Sequence, residues 1–287
     1  MSERQVVARS VDLLAAFAWF IRDKSKLPSD TQGIVVDVGS GHSPHFRAHI
    51  LIEKYLEGNQ HRIGPFTRRS NRQLVFVASA ERLPFKDNSV GFLIASHLLE
   101  HLEDPDVASQ EFSRVAKAGY VECPSEWIER LFPFPSHLWY VKRQEQMLIF
   151  EAKKKARDRR IETTMLSQWP DNPHLRALFR DHTTWTERLV WEGAIDLKRI
   201  GEAEDPDPEG STPHRPNPEL IQALSRLTSR LLSLVIRPRR LKAHAIDEAL
   251  CCPACHGALE MGDAGFTCEA CRANYPRTGY VIDFLTG

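Results

Sequence analysis

Short apolar runs separated by longer polar stretches dominate residues 33–150, and they fall at 34–38, 50–52, 74–77, 92–95 and 120–121. Runs this short and this uniformly apolar predict strands buried on both faces, and their spacing predicts βαβ units on a parallel sheet. Between the last two runs Asp104 is placed to cap a helix, with Pro105 in its first turn. In that helix Val107, Phe112 and Val115 are expected to face inward, with Gly119 just beyond its end. Runs at 138–141 and 147–150 flank Arg143-Gln144-Glu145-Gln146 and predict an antiparallel pair at the edge of the sheet. The period changes at the two ends of this region. Val6, Val7, Leu13, Leu14, Phe17 and Phe20 recur at helical spacing, and Pro28 closes that segment. Residues 201–218 carry five prolines and five acidic residues in 18 positions, the composition of a linker. Leu220, Leu224, Leu227, Leu231 and Leu234 then form one helical stripe running into Arg237, Arg239, Arg240 and Lys242. The chain therefore divides into 1–30, an N-terminal helix; 31–200, an α/β domain; 201–218, a linker; 219–246, an amphipathic helix with a basic stretch; and 247–287, a small cysteine-bearing module.

Composition narrows the class without changing this division. Hydrophobic residues make up 42% and charged residues 26%, ordinary values for a globular protein. The longest unbroken apolar run is 13–21, well short of the roughly 18–20 residues that span a bilayer. No secretory signal pattern precedes it, so a cytoplasmic location and no membrane partner are expected. Lysine plus arginine and aspartate plus glutamate both number 38, so no global field favours nucleic acid. Any nucleic-acid contact must be local. The two basic clusters, 153–160 and 226–242, are the places for it, and solvated helix faces are the plainer reading of both.

The strand at 34–38 empties into Gly39-Ser40-Gly41, a turn almost without side chains, where backbone can approach a ligand closely. A dinucleotide loop would place a third glycine near position 44, but the chain has Ser43-Pro44, and Asp37 would repel a phosphate. A cationic or neutral ligand fits better, and S-adenosylmethionine (SAM), with an ammonium, a sulfonium and no phosphate, meets that requirement. Glu53, at the end of the second strand, is placed to accept both hydroxyls of a ribose. Only 12 residues carry the chain from Gly41 to Glu53, so the first crossover is abbreviated.

The cysteines are crowded rather than spread as a disulfide framework: Cys123 stands alone and the other five lie between 251 and 271. Cys252-Pro-Ala-Cys255 and Cys268-Glu-Ala-Cys271 are paired CxxC knuckles, which place four thiolates at the corners of a tetrahedron, the geometry zinc prefers. Cys251 is expected to pack beside this site. A module of some 40 residues with few large apolar groups needs such a staple to fold.

With the turn, Glu53, ASAERLPFKDNSV at 78–90 and ASHLLEHLEDP at 95–105 in order, the chain resembles the class I SAM-dependent methyltransferases, in the branch typified by quinone C-methyltransferases and other small-molecule enzymes. The resemblance implies a Rossmann-like seven-stranded sheet with a reversed final strand. It places Asp37, Gly39, Ser40 and Gly41 around the methionine portion of SAM, Glu53 on the ribose, Ser79, Ala80 and Glu81 at the adenine, and Ser96 and His97 under the methyl group. His101 is the expected base where the acceptor holds a proton, with His137 and Trp139 near the acceptor pocket. The chain departs from the family at Ser43, Ser79 and Gly91, where it lacks the third glycine of the loop and two usual aspartates. The ending NYPRTGYVIDFL with CPACHGAL resembles the zinc-ribbon proteins that bind and activate methyltransferases. Three readings follow: a SAM-dependent methyltransferase for a small-molecule or lipid-like acceptor; one for RNA or protein that docks through the ribbon; and a degenerate, non-catalytic binding module.

Overall fold

The computed structural model describes residues 27–57, 65–134, 136–154, 182–204, 238–242 and 244–285. The expected N-terminal helix, the leucine stripe at 220–234, nearly all of the linker, and most of both basic clusters lie outside these residues.

Five parallel strands form the centre: β1 (Val35–Val38), β2 (Ile50–Glu53), β3 (Leu74–Val77), β4 (Phe92–Ser96) and β5 (Ala118–Pro124). They lie in the order β3-β2-β1-β4-β5, and β8 (Thr186–Glu192) closes that side antiparallel to β5. This is the expected Rossmann-like α/β sheet with its reversed final strand. All four residues of β1 and of β2 are buried. Alternate residues feed two cores, because successive side chains point to opposite faces. Val36, Val38, Ile52, Phe76, Leu93 and Val121 face one core, and Val35, Leu51, Val75, Ile94 and Tyr120 face the other.

Helix α1 (Pro105–Val115) packs on the first face through Ala108, Phe112 and Val115. Val107 is 43% exposed, contrary to expectation, because the buried stripe runs through 105, 108, 109, 112 and 115 and leaves it on the outer flank. Asp104 makes no side-chain cap; its carboxylate pairs with Arg199 instead. Gly119 belongs to β5, and the helix ends at Ala116, whose N–H bonds to Phe112 O. The abbreviated first crossover holds no helix between β1 and β2.

The hairpin expected at the sheet edge is real but differently placed. Strands β6 (Trp139–Gln144) and β7 (Met147–Ala152) pair antiparallel, and β9 (Asp196–Ile200) joins β7 in parallel, making a separate three-stranded sheet. Two short helices lie near it, α2 (Glu126–Leu131) after β5 and α3 (His182–Trp185) before β8. Trp139 is buried and its Nε1–H donates to Leu102 O at 2.7 Å, so it anchors this sheet to the turn after β4.

After α4 (Ala245–Ala249), the C-terminal segment continues the main sheet rather than standing apart. Strands β10 (Leu259–Gly262), β11 (Gly265–Cys268) and β12 (Asn274–Thr278) form a meander, and β13 (Val281–Asp283) lies parallel to β3. The seven-strand run β13-β3-β2-β1-β4-β5-β8 thus takes its seventh member from the C-terminal module, and the whole sheet has ten strands. Phe284 stacks edge-on to Phe76 at 5.2 Å and meets Tyr275 at 5.1 Å, carrying one aromatic core from β3 into the meander. Backbone bonds from Val75 N to Tyr280 O (3.0 Å), Phe284 N to Val77 O (2.8 Å) and Cys251 N to Pro84 O (3.2 Å) fasten the join. Cys251 is buried there, beside the knuckles.

Candidate functional site

Strand order reverses between β1 and β4: the chain moves one way through β1, β2 and β3 and the other way through β4 and β5. In open α/β sheets the crevice outside the carboxyl ends of the strands at such a point is where ligands bind. Gly39, Glu53, Ser79 and Ser96 all lie at that edge, by register from Val38 opposite Ile52 and Ala95, and Glu53 opposite Val77. An open cleft of about 770 Å³ lies at the other end of the sheet, bordered by Gln32, Gly91, Phe92, Ala118 and Trp191.

The turn after β1 is built from left-handed backbone, φ +67° at Gly39 and +54° at Gly41, which glycine adopts at little cost. A Cβ on Gly39 would sit 2.9 Å from Leu98, so the turns following β1 and β4 touch here. Two buried carboxylates hold the turn in shape. Glu53 Oε1 accepts from Ser40 Oγ at 3.0 Å and from the Gly41 N–H, and Asp37 Oδ2 accepts the His45 N–H at 2.7 Å. Gly39 N–H donates to Ile52 O at 2.8 Å, tying the turn to β2.

Ser79 and Arg82 form an isolated bridge, and Ser79 Oγ accepts from Glu81 N–H at 3.4 Å, so 79–82 is a tight turn just past β3. Ala80 is buried and Glu81 half-buried within it. Gly91 has a packing cause: a Cβ there would lie 2.0 Å from Gln32 O, so no aspartate fits. Packing at this point, where the chain enters the sheet, accounts for that departure from the expected pattern.

Below the turn lies a dense polar cluster. His97 takes φ +55° and its Nε2 is 3.2 Å from Glu122 Oε1, while its Nδ1 is 3.5 Å from Glu100 Oε1. Its ring stacks on Trp185 at 5.8 Å. Burial works against charge on this imidazole, but the two carboxylates outweigh it and its pKa is raised. Burial would likewise raise Glu100, yet His97, His137 and His101 together bring it down to about 2. His101, half-buried, points Nδ1 at Ser136 O (3.0 Å) and meets His137 edge-on at 4.5 Å. His137 is held by Glu129, which also pairs with Lys153. The structure thus gathers the expected His97, His101 and His137 and adds Glu100, Glu122 and Trp185. Glu100 had a signal in the sequence, a carboxylate amid LLEHL; Glu122, inside a buried strand, had none.

The four knuckle cysteines converge, with all sulfurs within 4.8 Å of one another. Cys252 Sγ is 3.6 Å from Cys271 Sγ and Cys255 Sγ is 3.4 Å from Cys268 Sγ, close to the roughly 3.8 Å between corners of a tetrahedron with 2.3 Å metal–sulfur bonds. Each knuckle ends in a left-handed residue, His256 at φ +58° and Arg272 at +64°. A Cβ on Gly257 would press on Cys255 and Cys268 Sγ at 3.2 Å. The Cys271 N–H directed at Cys268 Sγ lowers the pKa of that thiol, favouring the thiolate form that a metal binds. The residues present fit a tetrahedral thiolate-bound ion.

Residues 54–121 match the family described as "Methyltransferase domain". No curated protein matches the chain at a significant level. Solved structures similar in part include a candidate S-adenosylmethionine-dependent methyltransferase from Listeria monocytogenes, 14% identical, covering 45% of this chain and 63% of that one, TM-score 0.31. The YcgJ protein from Bacillus subtilis is 19% identical over 42% of this chain and 60% of its own, TM-score 0.30. The complex of the Haloferax volcanii Trm112 methyltransferase activator with a candidate methyltransferase shows 15% identity, 63% and 89% coverage, and TM-score 0.37. The chain spans somewhat under two thirds of the first two relatives.

Proposed function

We propose that the chain is a SAM-dependent methyltransferase for a small-molecule or lipid-like acceptor, with a zinc-loaded ribbon built into its sheet. One observation carries the reading: a left-handed Gly39–Gly41 turn, locked by buried Glu53, stands at the switch point of a parallel sheet whose residues 54–121 match a methyltransferase-domain family. Asp37, Gly39, Ser40 and Gly41 would hold the methionine portion, Glu53 the ribose, Ser79, Ala80 and Glu81 the adenine, and Ser96 and His97 the floor. SAM, when bound, supplies a methyl group already activated by its sulfonium. The protein's part is then alignment and exclusion of water, which can supply several kcal/mol of a transfer barrier. Asp37 and Glu53 add negative charge beside a cationic ligand, as a phosphate site would not.

His101, the expected base, is tied through Nδ1 to Ser136 O. His97 stands directly at the end of β4 and is the residue of this cluster we place against the acceptor. The ribbon fills the β3 edge and is read as structural, since four thiolates leave no open coordination position. Domain limits of 31–200 and 247–287 remain our division of one continuous sheet. Nucleic acid is the alternative acceptor, and it would show as affinity falling steeply with salt.

Isothermal titration of the full chain with SAM tests the reading. Binding of one equivalent supports it; no heat at millimolar SAM, with the ribbon intact, favours the non-catalytic module and overturns it.

A further inference from the structure

Glu100, His101 and His137 converge under the turn after β4, and their donor atoms all lie within 4.8 Å of one another. We propose that these three residues form a second metal site, of two imidazoles and one carboxylate, for a divalent first-row transition ion. The proposal is independent of the methyl-transfer reading, and either can fail alone.

Three features favour a ligand set over a packed polar cluster. First, each histidine is held through Nδ1: that of His101 donates to Ser136 O at 3.0 Å, and that of His137 donates to Glu129 Oε2 at 2.8 Å. Nε2 is then the coordinating atom of both rings, and the Glu129–His137 pair is the carboxylate–histidine arrangement that metal ligands commonly carry behind them. Second, Lys153 pairs with Glu129, so the supporting carboxylate keeps its charge and its orientation. Third, Glu100 is 1% exposed, and neither of its oxygens has a hydrogen bond of normal geometry among the described residues, its near polar partners being His97 and the Cys123 thiol. Its nearest ionic neighbour is His97 Nδ1 at 3.5 Å, too far for a normal hydrogen bond. A buried carboxylate met only by an imidazole that it shares with Glu122 is poorly compensated, and a further cation facing it would offset that cost.

The geometry is within reach of coordination. Bonds of about 2.1 Å place tetrahedral donors about 3.4 Å apart, whereas one donor atom of each residue lies within 4.8 Å of the others, so the side chains must shift by an ångström or more to bring both Nε2 atoms to an ion. Two nitrogens and one oxygen suit zinc, iron or cobalt rather than magnesium or calcium, which take oxygen ligands. Glu100 and His101 follow β4, whereas His137 leads into β6, so the ion would bolt the main sheet to the three-stranded one. Three protein ligands leave one tetrahedral position over.

Zinc(II) is the probe. After dialysis of the full chain against micromolar zinc and then metal-free buffer, elemental analysis is expected to find two zinc per chain, one from the ribbon and one here. Glu100→Gln, which keeps shape and removes charge, and His137→Gln should each retain one. Glu129→Gln should keep the site but weaken it about 10–100-fold. The ribbon metal, protecting its thiols from alkylation, reports that each variant is folded. A folded wild-type chain holding one zinc, or variants that keep two, would overturn the proposal.

Discussion

The switch-point crevice and the cysteine ribbon lie on one sheet and are built by opposite means. In the crevice the polar side chains support backbone: Glu53 and Asp37 hold the turns between β1 and β2, and the parts come from residues spread between 37 and 97. In the ribbon four sulfurs within 252–271 converge, and the backbone around them is a short meander with few apolar residues. The crevice is therefore a product of the fold, whereas the ribbon, if loaded with the proposed zinc, is a condition for part of it. Their junction at β3 and β13 is where the difference can be tested.

The largest effect is expected from emptying the ribbon. Cys252→Ser with Cys268→Ser removes two of four thiolates, and structural zinc sites in isolated fingers contribute roughly 10–16 kcal/mol to folding. Here the meander should unfold and loosen β13 with it, since that strand is paired with β12 as well as with β3. Hydrogen exchange should show Val75, whose N–H donates to Tyr280 O at 3.0 Å, losing protection, while Val36 and Leu93 in the centre keep theirs. Unchanged protection at Val75 would mean that the sheet edge stands without the metal module.

Gly39→Val strikes the crevice alone. It forces a β-branched residue to φ +67° and drives a side chain into Leu98, which a bare Cβ already approaches to 2.9 Å. SAM affinity should fall at least about 100-fold, near 2.7 kcal/mol, with zinc content unchanged. Titration calorimetry with elemental analysis measures both. Retained affinity would detach the ligand from this turn.

These two regions also differ in how far the amino-acid sequence revealed them. The knuckles were legible because all four ligands sit in one short segment, and local chain geometry suffices to bring them together. The five central strands were legible from continuous apolar runs. What escaped was long-range pairing: nothing in VIDF at 281–284 says that it joins β3, some 200 residues earlier, and nothing in 138–152 says that its hairpin leaves the main sheet for β9. The same limit hid Glu122 and separated Glu100 from His137. The inward stripe of α1 was misread at Val107 because one apolar residue fits either flank of a helix until the packing partner is known. Gly91, a family departure in sequence, became intelligible only when Gln32 O was found 2.0 Å from the place of its missing Cβ.

A gentler change separates holding the turn from forming it. Glu53→Gln keeps the shape of the side chain but removes the charge that Gly41 N–H and Ser40 Oγ donate to. Hydrogen bonds to a charged group contribute roughly 1.5–3 kcal/mol, about half of which the amide oxygen should retain. SAM affinity should drop about tenfold, measured by the same titration, with the melting temperature lowered by only a few degrees. A loss as complete as that of Gly39→Val would mean that the carboxylate shapes the turn instead of steadying it.

The smallest effect concerns His49, which precedes β2 at the edge of the sheet opposite the crevice. Val35 N–H donates to its Nδ1 at 2.9 Å, so Nε2 carries the proton and donates to Arg239 O, also at 2.9 Å. Burial lowers the pKa of this imidazole, and nearby Arg47 lowers it further, so the folded protein holds it neutral. A histidine with a depressed folded pKa binds its proton more readily when unfolded. Its contribution is therefore complete above the ordinary value of 6.5 and declines as pH falls through 6.5 toward the lower folded pKa. Between pH 7.5 and 5.5 stability should therefore fall through this group. His49→Gln keeps a donor and an acceptor but cannot titrate, and should flatten the slope of urea midpoint against pH over that window. An unchanged slope would place the acid sensitivity elsewhere, and the start of β1 would then be joined to the Arg239 segment by contacts indifferent to protons.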